Sequence, residues 1–210
     1  MNYKSIWFLL TVLIFSCYQS HTKAIQYPDT RKDESVTDTY FGTEVADPYR
    51  WLEDDNSAET ADWVKAQNKL TFSYLESIAQ RDAIKERLTE IWDYEKVSAP
   101  FKRGGKYYFY KNEGLQNQSV LYSSDELRGE EKVILDPNTF SEDGTVALSG
   151  TYFNHEGNLL GYAKSIGGSD WKEFYIKDLS TGEDRKDHLQ WIKFSGMAWA
   201  GNGFYYSRYP

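Results

Sequence analysis

Pro100-Phe101-Lys102-Arg103-Gly104-Gly105-Lys106-Tyr107-Tyr108-Phe109-Tyr110 is the stretch on which the fold turns. Proline lacks the backbone donor that a helix interior needs, so the helical period stops there. Two glycines then supply a turn. An aromatic run follows, built from the residue types that suit a pleated, half-buried surface. The pattern of an aromatic, a glycine four residues later and then an apolar strand occurs twice more. Phe153 and Gly157 precede Leu159-Leu160-Gly161-Tyr162, and Trp199 and Gly203 precede Phe204-Tyr205-Tyr206. The three glycines Gly105, Gly157 and Gly203 are 52 and 46 residues apart. Propeller blades repeat at roughly 40 to 50 residues. An aromatic would end one strand, a glycine would turn the chain, and the next strand would pack on the neighbouring blade. The pattern favours a propeller, with a sandwich as the alternative.

Working outward, strand-like runs fill the region beyond Pro100: 107–110, 119–122, 133–135, 146–153, 159–164, 173–177, 197–199 and 204–207. Glu113-Gly114, Glu156-Gly157-Asn158, Ser180-Thr181-Gly182 and Gly201-Asn202-Gly203 supply turns between them. Aromatics make up 17% of the chain, which also points to a β-rich body. Before Pro100 the period is helical. Asn56 reads as an N-cap with Glu59 three residues on. Trp63, Ala66, Leu70 and Tyr74 then share one face, which predicts a helix over 57–78. Asp82 is positioned to cap a second helix that carries Ile84, Leu88, Ile91 and Trp92 to about Tyr94. The aromatics on both faces are expected to pack in a core. Residues 25–42 read as an extended arm, and Asp47-Pro48 opens a short helical turn.

The net charge is −8 and the pI about 5.0, with no dense run of Lys and Arg. That excludes nucleic acid and anionic membrane surfaces as partners. Lys4 followed by the mostly apolar run 6–15 is too short to span a bilayer and suits a signal-peptide core. The reading is therefore a signal peptide over 1–24, cleaved after Thr22-Lys23-Ala24, with an exported, periplasmic product and no transmembrane span. The alternative is a lipoprotein anchored at Cys17, the last residue of Ile14-Phe15-Ser16-Cys17. Cys17 is the only cysteine, so the mature protein would have neither disulfides nor thiol chemistry.

The residues of a hydrolytic site are missing. A nucleophile elbow needs G-x-S-x-G. Gly167-Gly168-Ser169-Asp170-Trp171 comes nearest, but Trp171 stands where glycine must turn the chain, so Ser169 reads as a turn residue. The histidines are His21, His155 and His188, and none recurs with a serine in a triad pattern. No H-E-x-x-H, cysteine pair or calcium loop is present, and Glu53-Asp54-Asp55 reads as a solvated helix end. Gly104-Gly105-Lys106 lacks the hydroxyl residue of a phosphate loop. No metal and no cofactor are expected.

An ordered series of blocks does carry a resemblance. These are Thr39-Tyr40-Phe41-Gly42, Asp47-Pro48-Tyr49-Arg50-Trp51-Leu52-Glu53-Asp54-Asp55, Ile91-Trp92-Asp93-Tyr94-Glu95-Lys96, Gly114-Leu115-Gln116-Asn117-Gln118-Ser119-Val120-Leu121-Tyr122, Gly167-Gly168-Ser169-Asp170-Trp171 and Lys193-Phe194-Ser195-Gly196-Met197-Ala198-Trp199. In order and spacing, from about Tyr27 to Pro210, the series resembles the N-terminal part of the prolyl oligopeptidases, serine peptidases that cut short peptides after proline. The resemblance implies a mixed fold. Residues 25–96 would be the N-terminal extended and helical arm of an α/β-hydrolase peptidase domain. Residues 97–210 would be the first two or so blades of an all-β seven-bladed propeller that gates substrate size. The 114 residues from Val97 to Pro210 hold a little over two blades, which cannot close a ring, so the chain reads as the N-terminal piece of a longer protein.

The resemblance also implies roles and partners. The catalytic triad would lie beyond this chain, in its own C-terminal α/β-hydrolase domain, and the fragment alone would be inactive. Asp170 and Trp171 would face that domain, Asp170 pairing with a basic group, with core packing the competing reading for Trp171. Phe194 would line a subsite for apolar residues of the substrate, or else serve as blade core. The expected ligands are short proline-containing peptides, and the complete protein would be a monomer. Two alternatives stay open: a related oligopeptidase with another specificity, such as cleavage after basic residues, and a non-catalytic propeller that serves as a binding scaffold.

Overall fold

The computed structural model describes residues 24–210. The expected signal peptide, apart from Ala24, the alternative lipidation at Cys17 and His21 lie outside the described residues. The chain divides into two compact units, residues 24–82 of the description and Ala83–Pro210.

In the first unit an arm leads into a hairpin, strands β1 (Thr37–Tyr40) and β2 (Thr43–Ala46), and then a 3-10 turn over Arg50–Glu53. The hairpin turns at Phe41 and Gly42, both with positive φ. The segment expected to be extended throughout is thus paired at its C-terminal end. Helix α1 (Ala58–Glu76) follows. Its N-cap is Ser57, whose side chain accepts from Thr60 N, so the cap lies one residue beyond the expected Asn56. The acidic and aromatic residues before it are organised by two arginines. Arg50 holds Asp38 through both terminal nitrogens and Asp47 through Nε at 2.9 Å. Arg31 forks onto Glu59 at 2.6 and 3.2 Å, and its backbone carbonyl accepts from the Trp51 indole. The Trp63 indole donates to Thr30, which ties the arm to α1.

The second unit opens with α2 (Arg81–Trp92), whose first two residues belong to the preceding unit, and continues as sheet. Strands β3 (Lys96–Val97) and β4 (Phe101–Arg103) both pair with β5 (Lys106–Asn112), as one outer strand interrupted around Pro100. Strands β6 (Val120–Ser124) and β7 (Lys132–Leu135) complete an antiparallel meander. A second four-stranded meander is formed by β8 (Val146–Phe153), β9 (Leu159–Ile166), β10 (Lys172–Asp178) and β11 (Asp184–Ile192). The hairpin of β12 (Ala198–Ala200) and β13 (Gly203–Tyr205) stands as a separate pair. These are two blades and the first hairpin of a third.

The blades are held face to face. Strand β9 is buried along most of its length, and its side chains alternate between two cores. Leu160 and Tyr162 join Tyr108, Leu121 and Leu135 of the first blade. Leu159 and Ala163 join Phe174, Ile176, Ile192 and Met197, against which Trp199 and Phe204 of the third hairpin pack. A strand buried on both faces reads as a continuous apolar run, which is why 159–163 carries no polar alternation. Phe101 and Phe153, equivalent in the repeat, meet edge to face at 5.6 Å. Trp199, the third equivalent, donates its indole N–H to the Tyr152 carbonyl at 2.9 Å.

Two glycines in the blade turns, Gly104 beside the repeat position Gly105 and Gly157 of the repeat itself, do more than turn the chain. Gly104 and Gly157 both have positive φ. A Cβ on Gly104 would lie 2.8 Å from the Glu156 carbonyl oxygen and 2.9 Å from the Gly157 Cα. The hairpin turns of adjacent blades therefore meet backbone to backbone. Gln118 makes a second seam: its side chain donates to Val146 O and accepts from Leu148 N, extending the first blade into the second.

Two sequence expectations fail for related reasons. Residues 184–192, which are not among the strand-like runs read from the sequence, form the outermost strand β11, whose residues are almost all exposed. An edge strand wet on both faces shows no apolar alternation, and its charges are the usual protection of a free edge. Of the helical aromatics expected in a core, Trp63 is half-buried, whereas Tyr74 and Trp92 are exposed. Ile84, Leu88, Ile91, Trp92 and Tyr94 are all exposed, as is Tyr74 on α1. The face of α2 that sequence periodicity marks as apolar has no covering partner among the described residues. No helix among the described residues is long and apolar enough to cross a membrane.

Candidate functional site

Two connections at one end of the second blade bring the sequence candidates together. The turn from β9 to β10 passes through Gly167 and Gly168, at φ +60° and +75°. Neither glycine has a neighbour where a Cβ would go, so the backbone conformation rather than space requires glycine there. Ser169 closes the turn. Its N–H donates to Ile166 O at 3.0 Å, its hydroxyl accepts from Trp171 N at 3.2 Å, and its carbonyl accepts from the Ser165 hydroxyl at 2.5 Å. The serine nearest to an elbow motif is thus held as a turn residue.

The opposite side comes from β11. Lys172 pairs with Ile192, but Phe174 pairs with Leu189, so the register slips across Gln190 and Trp191. This bulge puts Trp191 at φ +64°, and Phe194 follows at φ +53°. Two aromatics in the left-handed region cost on the order of 1–2 kcal/mol each, and such outliers gather where side chains are aimed for use. The bulge turns Trp191 onto the edge of Trp171, centroids 5.9 Å apart. Tyr209 meets Trp171 on another side at 5.2 Å, and its N–H donates to the Trp191 carbonyl.

Lys193 is the hub. Its Nζ lies 3.4 Å from an Asp170 oxygen, 5.4 Å from the Trp171 ring centre and 5.1 Å from that of Phe194. Asp170, Trp171 and Phe194, which sequence reading singled out separately, therefore surround one ammonium group. The basic partner expected for Asp170 is supplied here from within the chain. Phe194 is 80% exposed among the described residues, and Trp171 packs against the surface aromatics Trp191 and Tyr209 as well as Lys193.

Beside this cluster a small cleft of about 140 Å³ runs between Ser169, Trp171, Glu173, Gln190 and Trp191. Glu173 is fully engaged. It accepts from the Tyr175 hydroxyl at 2.6 Å and from the Gln190 amide at 3.1 Å, and it lies 2.8 Å from His188 Nε2. The Tyr175 bond, with help from His188 and Gln190, holds this carboxyl below its ordinary range despite partial burial. Burial and the same bond push the Tyr175 phenol up. The His188 ring stacks on Tyr175 at 4.7 Å. This is a cross-strand network that fixes β10 to β11, and Ser169, which lines the same cleft, is not among its hydrogen-bonded members. His155 sits exposed in the turn between β8 and β9.

Sequence reasoning missed Trp191, Tyr209, Glu173 and the His188 contact. The only available signal was Trp191-Ile192, an apolar pair at the end of a charged run. Among the described residues no group of three or more His, Cys, Asp or Glu side chains is arranged to hold a metal ion.

Comparisons with known proteins agree with this architecture. The family model described as "prolyl oligopeptidase, N-terminal beta-propeller domain" matches residues 28–210. A prolyl endopeptidase of Elizabethkingia meningoseptica is 47% identical over 211 residues, covering 100% of this chain and 30% of that protein. A prolyl endopeptidase of Dictyostelium discoideum is 32% identical and covers 88% of this chain and 30% of its own length. A solved structure from a mechanistic study of two prolyl endopeptidases superposes with a TM-score of 0.78 at 34% identity, over 88% of this chain and 28% of that one. The peptide-bound prolyl oligopeptidase B of Galerina marginata superposes at 0.73 and 32% identity, over 89% of this chain and 30% of its own. The chain spans about 30% of the length of the curated relatives it matches.

Proposed function

This chain belongs to the prolyl oligopeptidase family, and from that premise we propose that it is the brace and the opening blades of the lid of a serine oligopeptidase. The whole protein would hydrolyse short peptides on the carboxyl side of proline. The observation that carries the reading is the family match over 28–210 together with two stacked four-stranded blades and the start of a third.

In the complete enzyme a serine outside this chain attacks the prolyl carbonyl, its histidine base takes the proton, and water later hydrolyses the acyl-enzyme. The part supplied here is selection and positioning. A ring of blades admits an extended peptide and refuses a folded protein, because only the peptide fits the axial channel. Residues 25–96 pack on the peptidase domain, and residues 97–210 are the propeller portion. The exposed apolar residues of α2 support the first assignment, since they need a covering surface. Phe194, held out by its backbone, lines a subsite for an apolar residue of the substrate. Asp170 and Trp171 meet the peptidase domain, with Lys193 the shared partner on this side.

The test is a chimera in which this chain replaces the corresponding N-terminal 30% of the Elizabethkingia prolyl endopeptidase. The chimera is expected to release product from a proline-linked chromogenic peptide and to leave a folded protein uncut, while this chain alone releases nothing. A folded chimera without activity, or turnover by the pure chain, overturns the reading. The leader supports export: N-terminal sequencing of the periplasmic protein is expected to begin at Ile25. Recovery of an intact Met1 form from the cytosol alone would refute that.

A further inference from the structure

We propose that the corner where the first strands of the three blades converge is a binding site for the terminal carboxylate of a peptide whose last side chain is apolar. The corner lies at the β4–β5 and β8–β9 turns. Those turns are at the opposite end of the strands from Asp170 and Phe194. A cavity of about 600 Å³ opens there, and its lining includes Lys102, Arg103 and His155 together with Phe153, Met197 and Trp199.

The chemistry of the lining is complementary to that one ligand. Among the described residues neither Lys102 nor Arg103 forms an ion pair. Arg103 spends one N–H on the Lys102 carbonyl at 2.7 Å, and its guanidinium lies 5.7 Å from the Phe101 ring. Lys102 Nζ lies 5.0 Å from the Tyr107 ring. Two cations resting on aromatic faces, with donors to spare, are available to an incoming anion. Of the nearby carboxylates, Glu156 in the β8–β9 turn accepts from the Asn154 amide, and Asp125, just after β6, holds Lys106 at 2.9 Å. Phe153, Met197 and Trp199 line the same cavity, and an apolar C-terminal side chain could cover them where an inorganic anion could not.

The corner is also rigid. Asn154 is buried and satisfied on all sides. Its Oδ1 accepts from Asn158 N and Leu159 N, and its Nδ2 donates to Glu156 and Asn158. With the Gly104–Gly157 contact this fixes the turns relative to each other, so little ordering remains to be done when a ligand arrives. A site of this kind would orient peptides carboxyl end first at the mouth away from the Phe194 cluster.

The peptide identity of the ligand rests on the oligopeptidase reading; the carboxylate preference does not. The experiment therefore involves no cleavage. The full-length isotope-labelled chain is titrated with Ala-Ala-Phe and with its C-terminal amide, following the Gly104 and Gly157 amides and the Trp199 indole. The free acid is expected to shift these signals with a Kd at least about tenfold below that of the amide, the size of one charge-assisted hydrogen bond. The difference is expected to shrink in high salt and in the Lys102→Ala/Arg103→Ala variant, where both changes are at exposed positions. Equal binding of acid and amide, or no binding by either, overturns the proposal on the unaltered protein alone. A difference that survives the double substitution overturns the assigned residues. An inactive chimera together with an intact acid–amide difference would refute the peptidase reading and leave this site standing.

Discussion

At φ +53° and 80% exposed, Phe194 trades backbone comfort for a displayed ring. Phe194→Gly is expected to relieve about 1 kcal/mol of left-handed strain, raising Tm by about 2–4 °C in a domain of this size. In the chimera the same change is expected to raise KM for peptides with a bulky apolar residue while leaving kcat nearly unchanged. A stabilised variant with unaltered KM would remove Phe194 from the subsite. Glu173 gives a pH signature. Its carboxyl is held below the ordinary value of 4.5, so the stability it contributes is present above that value. It is lost as the pH falls through the lower, folded value. Glu173→Gln is expected to be less stable near neutrality and to show a flatter acid limb below about pH 4.5 in urea titrations. Parallel limbs in the two proteins would contradict this. The sequence made Asp170, Trp171 and Phe194 visible because each sits in a distinctive block. Trp191 and Tyr209 were not visible, because their contacts with Trp171 depend on a register slip between β10 and β11.

Among the elements, the hairpins of the repeat show why glycine recurs. Gly157→Ala and Gly167→Ala impose the same left-handed penalty of about 1–2 kcal/mol. Only Gly157→Ala also drives a methyl group into the backbone of Gly104, which cannot yield as a flexible side chain would. Gly157→Ala is therefore expected to cost several kcal/mol in urea unfolding, and clearly more than Gly167→Ala. Equal losses would mean that the blade turns do not truly abut. Legibility also varied by element. Strands β8, β9 and β10 stood out because nearly all their residues are buried or half-buried, and burial writes itself into the pattern. Strand β11 was missed because its pairing is made by backbone groups that any side chain allows, and its charges face water. The β1–β2 hairpin was missed for the same reason: nearly every residue in it is exposed, so nothing in 37–46 alternates.

For the molecule as a whole the decisive feature is apolar surface without a partner. Ile84, Leu88 and Ile91 on α2 are 43–55% exposed. The pure chain is expected to self-associate, with light-scattering mass rising with concentration. Replacing these three by Lys, Glu and Lys is expected to lower that mass without lowering Tm. A strictly monomeric chain at every concentration would count against the assigned brace. The sequence by itself determined the class of the protein. Aromatic–glycine spacing announced blades, the ordered blocks announced the family, and the lack of an elbow motif announced that no catalytic serine lies here. Those properties are local: they depend on residue type and spacing along the chain. Only the tertiary structure decided which side of β9 faces which core, that Gly104 and Gly157 touch, and that Asp170, Trp171 and Phe194 gather round Lys193. These depend on strand register and blade stacking. Both are set by how buried surfaces fit one another across the fold, and sequence spacing does not record that fit.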